Sequence, residues 1–182
     1  AENDRLAAQS FAANHSDVVL AGDVRSIEPS RLRVFLGLKA GDLDLLKACP
    51  PCQGFSSLAR GEVDTLRNDL VLDVYRFVKD LLPKAVLLEN VPGLAKDHRL
   101  DTLLRAMGRL GYSHEQYSVD ARQFGVPQRR RRLIVLAVRR APVGELPKDI
   151  YSLIPDNFDR TPKTAGQALA ELARRLGPDD PW

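Results

Sequence analysis

The most constraining feature of the sequence is the run Ala85-Val86-Leu87-Leu88, which ends abruptly at Glu89-Asn90-Val91-Pro92-Gly93. Four successive apolar residues read as a strand buried on both faces, the kind found in open α/β sheets whose polar strand ends form binding sites. Just before it, Leu70, Val71, Val74, Phe77, Val78 and Leu81 recur at spacings of three and four, which predicts a helix face between Asp69 and Leu82. An amphipathic helix followed by a fully buried strand requires a sheet covered by helices. Flanking segments repeat the rhythm. Short helices are predicted at Asn3 to Ala13 and from Pro29 to about Leu36, and strands at Asp17 to Leu20 and Asp42 to Leu46. A helix over 99–110 is stopped by Gly111; strands follow at Tyr112 to Val119 and Leu133 to Val138, and a last helix at Lys163 to Leu176. The expected class is α/β, a doubly wound three-layer sandwich.

The 182 residues fit one domain. With 27 Lys plus Arg against 24 Asp plus Glu, the net charge of +3 permits an anionic partner without identifying one. Two cysteines argue against a secreted disulfide scaffold and for a reduced, cytoplasmic setting. The first residues lack the basic start and apolar core of a signal peptide, and no apolar run reaches the roughly 18 residues of a membrane span, so no membrane is expected as a partner.

The segment from Cys49 to Asn68 mixes glycine, proline and charge without periodicity and reads as a long loop, for which binding or catalysis is the usual reason. Pro50 and Pro51 restrict the backbone before Cys52, and Gly54 permits a turn or close ligand approach after it. That geometry suits the presentation of one thiol, which reacts as thiolate and needs a positive neighbourhood. Two further readings stand beside it: an ordinary buried pair, and a redox dithiol of Cys49 and Cys52. A dithiol would introduce a helix at once, whereas Gly54, Ser56 and Ser57 extend the loop. Two cysteines are too few for a structural zinc site, so no metal is expected. Glu89 follows the apolar strand to its polar end, where burial would raise a carboxyl pKa and preserve a transferable proton. Arg129 to Arg132 read either as a solvated charge run or as the entry to a strand. In the second case Arg130 and Arg132 share a face, and Arg129 and Arg131 point elsewhere, toward phosphate or solvent.

Taken together these motifs resemble the DNA cytosine-C5 methyltransferase family over roughly residues 1–140. Pro50-Pro51-Cys52-Gln53-Gly54-Phe55-Ser56 resembles the catalytic loop and Glu89-Asn90-Val91 the glutamate motif. Gln128, Arg130 and Arg132 fit the Q-x-R-x-R element, while Asp64, Arg67, Asn68 and Leu70 fit the intervening pattern. The resemblance implies an incomplete Rossmann-like fold, S-adenosylmethionine as cofactor and double-stranded DNA as partner, in a restriction–modification setting near the nucleoid. It assigns Cys52 to addition at C6 of cytosine, Glu89 to N3, Arg130 to the ring edge near O2 and Arg132 to organisation of the pocket. Asn90 becomes a loop organiser in the catalytic group. Glu2 resembles the acid that holds ribose hydroxyls, Asp23 and Val24 the adenine-contacting pair, Pro51 the methionine border and Leu70 a pocket wall. Asn3 departs from the larger apolar group usual over adenine. Gln53, Ser56, Arg60, Arg67 and Gln128 fall to the DNA side, where the cytosine must be extruded from the duplex.

The family's opening glycine-rich loop has no counterpart before Glu2, and its target-recognition domain has none after the end of the chain. Residues 1–140 are therefore expected to be a partial catalytic domain and 141–182 a peripheral segment leading toward that domain. Either the chain is a fragment of a longer enzyme, or a second polypeptide supplies the missing parts. Two other classes fit the sequence, a noncatalytic nucleic-acid-binding or assembly subunit and the dithiol redox protein. RNA methylation is a narrower variant, because 2′-OH recognition would lie outside this chain.

Overall fold

The computed structural model describes residues 2–15, 22–51, 69–142, 144–155, 157–158, 161 and 163–176. Among the described residues four strands form one sheet: β1 (Leu45–Ala48), β2 (Ala85–Asn90), β3 (Tyr112–Asp120) and β4 (Arg131–Arg139). The helices are α1 (Arg5–Asn14), α2 (Pro29–Phe35), α3 (Leu70–Leu81), α4 (His98–Gly108) and α5 (Ala165–Leu176). Strand order is β1-β2-β4-β3, with β1 parallel to β2 and β4 antiparallel to both β2 and β3. The result is a mixed α/β sheet flanked by helices in a Rossmann-like arrangement. The strand–helix alternation holds from β1 through α3, β2 and α4 to β3, after which β4 returns between β2 and β3.

Side chains alternate across the sheet, so its two faces can be read from the register. Val86 and Leu88 of β2 and Leu133, Val135 and Ala137 of β4 are buried in one core with Val71, Val74 and Val78 of α3 and Leu100, Leu103, Leu104 and Met107 of α4. The other face carries Leu87 and Glu89 of β2, Arg132, Ile134 and Leu136 of β4, and Glu115 and Tyr117 of β3.

Local chemistry fixes the ends of these elements. Leu82 closes α3 in the left-handed region at φ 45°, with its N–H on the Val78 carbonyl, and Pro83 follows. The buried Tyr112 hydroxyl donates to the Pro83 carbonyl at 2.6 Å. Asp97 caps α4 by accepting from Arg99 N, and the Arg99 guanidinium reaches Asp69 at 2.7 Å and Asp97 at 3.2 Å, joining the starts of α3 and α4.

Two expected boundaries shift for physical reasons. The strand predicted at Asp42 to Leu46 lies at Leu45–Ala48, because Lys39 N donates to Asp42 Oδ2 in a turn and pairing starts at Leu45 opposite Ala85. The strand predicted to stop at Leu88 continues through Asn90, because Glu89 and Asn90 still pair with Ile134 and Leu133. The expected strand at Asp17 to Leu20 lies outside the described residues.

Candidate functional site

Strand register assembles the most constrained polar group. Glu89 pairs with Ile134, and Arg132, two residues before Ile134, projects from the same face. Arg132 Nε forms an ion pair with Glu89 Oε1 at 2.7 Å, and its Nη1 donates to the Arg131 carbonyl at 2.8 Å. Arg130 Nη2 stands 3.8 Å from the same Glu89 oxygen. Arg131 turns away to Asp120 at 3.6 Å, and Arg129 has no carboxylate partner among the described residues. The alternation expected of the arginine run is therefore present. The Glu89 and Arg132 side chains are 27% and 25% exposed, so their pairing is only partly shielded from water, and Arg130, at 47%, is more open to solvent.

Asn90 points to the opposite face and is 2% exposed. Its Nδ2 donates to the Pro50 carbonyl at 3.1 Å, and its Oδ1 accepts from Val91 N at 2.8 Å. One buried amide thus ties the end of β2 to Pro50, just past the end of β1 at Ala48. The Cys49 thiol lies beside Glu89 and is pushed above the usual thiol range, first by burial and next by the Glu89 carboxylate. Cys52, Gln53, Ser56, Arg60, Asp64, Arg67 and Asn68 lie outside the described residues. The chain enters that segment from Pro51. Gln128 is exposed, with its backbone N–H on the Val126 carbonyl at 2.8 Å.

Beside β1 an apolar groove of about 430 Å³ runs between α2, α3 and the strand. Val24, Pro51 and Leu70 line it, together with Phe77 and Asp73, so three of the five residues expected on the cofactor side meet there. Glu2 and Asp23 do not join its lining. Glu2 Oε1 accepts from Asp4 N at 2.8 Å ahead of α1, and Asp23 accepts from Arg25 N at 2.9 Å. Asp23 also pairs with the Arg25 guanidinium at 2.6 Å, which holds its carboxyl below the ordinary value. Both acids do the work of turn and cap residues here.

Sequence reasoning missed three residues: Cys49 beside Glu89, Asp73 in the groove wall, and Tyr151, whose hydroxyl oxygen accepts from Asp120 N at 3.0 Å. Asp73 sits at the first turn of a predicted helix and so was legible as a pole of that helix. The other two are long-range contacts without a local signal. Among the described residues no group of three or more His, Cys, Asp and Glu is placed to hold a metal, and no helix is long and apolar enough to cross a membrane.

Comparison with solved structures gives the class first. The chain superposes on a protein described as a DNA modification methyltransferase encoded within an E. coli prophage with TM-score 0.73 and 26% identity, over 92% of this chain and 46% of that one. The S. pombe Dnmt2 methyltransferase shares the fold at TM-score 0.61 and 20% identity, over 78% of this chain and 41% of that one. The family model for C-5 cytosine-specific DNA methylase matches residues 1–175, and the chain belongs to that family. Type II methyltransferase M.AgeI of Thalassovita gelatinovora is 35% identical over 138 residues, 74% of this chain and 32% of that protein. Type II methyltransferase M.NlaX of Neisseria lactamica is 33% identical over 174 residues, 93% of this chain and 48% of that protein. The chain spans 32% of the first relative and 48% of the second.

Proposed function

We propose that the chain carries the catalytic core of an S-adenosylmethionine-dependent methyltransferase acting on C5 of cytosine in double-stranded DNA. The observation that carries the reading is the pairing of Glu89 with Arg132, with Arg130 beside it, at the strand end that Asn90 ties to Pro50. Cytosine C5 becomes nucleophilic once a thiolate has added to C6, and this chain's candidate is Cys52. Glu89 hydrogen-bonds N3 and supplies a proton there as the ring accepts electrons, and Arg130 leaves Glu89 to meet O2. Bound S-adenosylmethionine supplies the methyl group. Val24, Pro51 and Leu70 would border it, with Glu2 and Asp23 turning to the ribose. Solvent takes the C5 proton, the C6–sulfur bond breaks to return the Cys52 thiolate, and N3 gives its proton back to Glu89, which restores the aromatic ring. Gln53, Ser56, Arg60, Arg67 and Gln128 would meet the duplex around the extruded base.

Residues 1–140 form the catalytic part in this reading, and 141–182 lead toward a target-recognition domain. Segments carried by the longer relatives, or by a second polypeptide, would supply that domain and the glycine-rich loop. Similarity to Type II methyltransferases supports a restriction–modification setting. The Cys49 thiol is pushed upward by burial and by the neighbouring Glu89 carboxylate, the opposite of the shift a reactive dithiol needs.

Incubation with duplex DNA and methyl-labelled S-adenosylmethionine, followed by digestion to nucleosides, tests the proposal. Labelled 5-methylcytosine is expected. Label at N4 of cytosine or N6 of adenine contradicts it, as does the absence of label when the segments carried by the longer relatives are co-expressed.

A further inference from the structure

We propose that residues 141–158 form a brace that fixes the arginine-bearing loop between β3 and β4, and that Tyr151 is its key positioning residue. The inference rests on the methyltransferase reading only for the consequence it has for catalysis. Beyond Arg140 the chain turns back and runs along β3 in the direction of the strand. Ser113 Oγ donates to the Ala141 carbonyl at 2.8 Å, Lys148 pairs with Glu115, and the Tyr117 hydroxyl donates to the Pro147 carbonyl at 2.6 Å. These three β3 residues share the face that carries Glu89 and Arg132. The run ends at Tyr151, in a short helical turn capped by Asp149.

Tyr151 grips the base of the loop in two ways. Its hydroxyl oxygen accepts from Asp120 N, the last residue of β3, and its ring lies 5.7 Å from that of Phe124 within the loop. Phe158 adds an edge-on contact to Phe124 at 6.4 Å. From Asp120 the grip passes directly to the arginines. The Asp120 carboxylate binds Arg122 at 2.6 Å and faces Arg131 at 3.6 Å, while the next N–H, of Ala121, donates to the Arg130 carbonyl at 2.9 Å. Gly125 reverses the chain at φ 72°, so Arg129 and Arg130 hang from a loop closed at its base. The brace therefore sets where the Arg130 guanidinium stands relative to Glu89. A boundary drawn at Arg140 would cut through this contact system.

Hydrogen exchange across residues 121–130 tests the brace in the full chain, with Tyr151→Phe and Tyr151→Ala as variants. Tyr117→Phe is the control, since it loses a hydroxyl bond to the same segment away from the loop. Tyr151→Phe is expected to speed exchange there about tenfold with the melting midpoint nearly unchanged, and Tyr151→Ala to speed it further. Tyr117→Phe leaves the loop as in wild type. The rate of covalent adduct formation with 5-fluorocytosine DNA at saturating DNA should fall about tenfold in Tyr151→Phe while DNA affinity holds, which loss of stability alone would not produce. Exchange in Tyr151→Phe equal to wild type overturns the brace, and so does an unchanged adduct rate where wild type reacts. A wild type that forms no adduct when the segments carried by the longer relatives are supplied counts against the methyltransferase reading, and exchange then decides the brace by itself.

Discussion

Two sets of carboxylates in this molecule are held in opposite ways. Glu89 is placed by β2–β4 pairing, and its partner Arg132 comes from a strand 40-odd residues further along the chain. Glu2 and Asp23 are satisfied by residues two positions away, Asp4 and Arg25. A group positioned by sheet register stands in its working geometry before any ligand arrives, which is how preorganised electrostatics lower a barrier. A group engaged in a local turn must give up a cap or an ion pair first, and its contribution to binding is smaller by that amount.

The largest expected effect tests the preorganised side. Arg132→Met should lower methyl transfer by about a hundredfold or more, the scale associated with loss of one preorganised donor. The pair is partly exposed, so the accompanying loss of stability should stay near 1 kcal/mol. Methyl transfer and thermal melting measured on one preparation check both, and Arg129→Met, which removes an arginine with no carboxylate partner, serves as the comparison. Near-wild-type transfer in Arg132→Met would place Glu89 outside the reaction.

Next in size is the buried tie. Asn90→Ala removes both hydrogen bonds of a fully enclosed amide and leaves the Pro50 carbonyl and Val91 N–H without it. A loss of about 2 kcal/mol is expected in urea unfolding, the scale of an unsatisfied buried polar group. A smaller change would mean that water or the cysteine loop replaces the amide.

The local acids should respond more weakly. Asp23→Asn keeps a side chain able to cap, so stability should move by less than about 0.5 kcal/mol. If the carboxylate turns to ribose hydroxyls on binding, calorimetry should show S-adenosylmethionine bound about tenfold more weakly. Equal affinity would leave Asp23 with turn work alone.

Smallest is a pH effect. Its pairing with Arg122 holds the Asp120 carboxyl at about 2, against 3.8 for the free group. A folded-state value below the unfolded one stabilises the fold above the unfolded value, and that contribution is lost as pH falls through about 2. Asp120→Asn should flatten the stability profile between about pH 4 and 2, which acid titration followed by circular dichroism would reveal.

The sheet-borne half of this comparison was legible in the sequence because periodicity carries it. The apolar run at Ala85 to Leu88 marked β2, and alternation in Arg129 to Arg132 predicted which arginines share a face. The three-and-four spacing of Leu70 to Leu81 marked α3. What local pattern could not supply was contact at long range. Nothing around Cys49 signals a carboxylate 40 residues away, and nothing around Tyr151 signals the end of β3. Strand ends were misjudged where pairing outlasted hydrophobicity, at Glu89 and Asn90, or began after a turn, at Asp42. For Glu2 and Asp23 the family motif and local chemistry point to different work, and the side chains here follow local chemistry.

We propose that the segment entered from Pro51 presents Cys52 to a cytosine whose ring edge meets Glu89 and Arg130. Trapping the protein, together with the segments its longer relatives carry, on duplex DNA containing 5-fluorocytosine in the presence of S-adenosylmethionine tests this directly, because fluorine at C5 blocks the elimination that frees the thiolate. Mass spectrometry of the digested adduct should find the modified base on Cys52. A base attached to Cys49 or to any other residue would contradict the account.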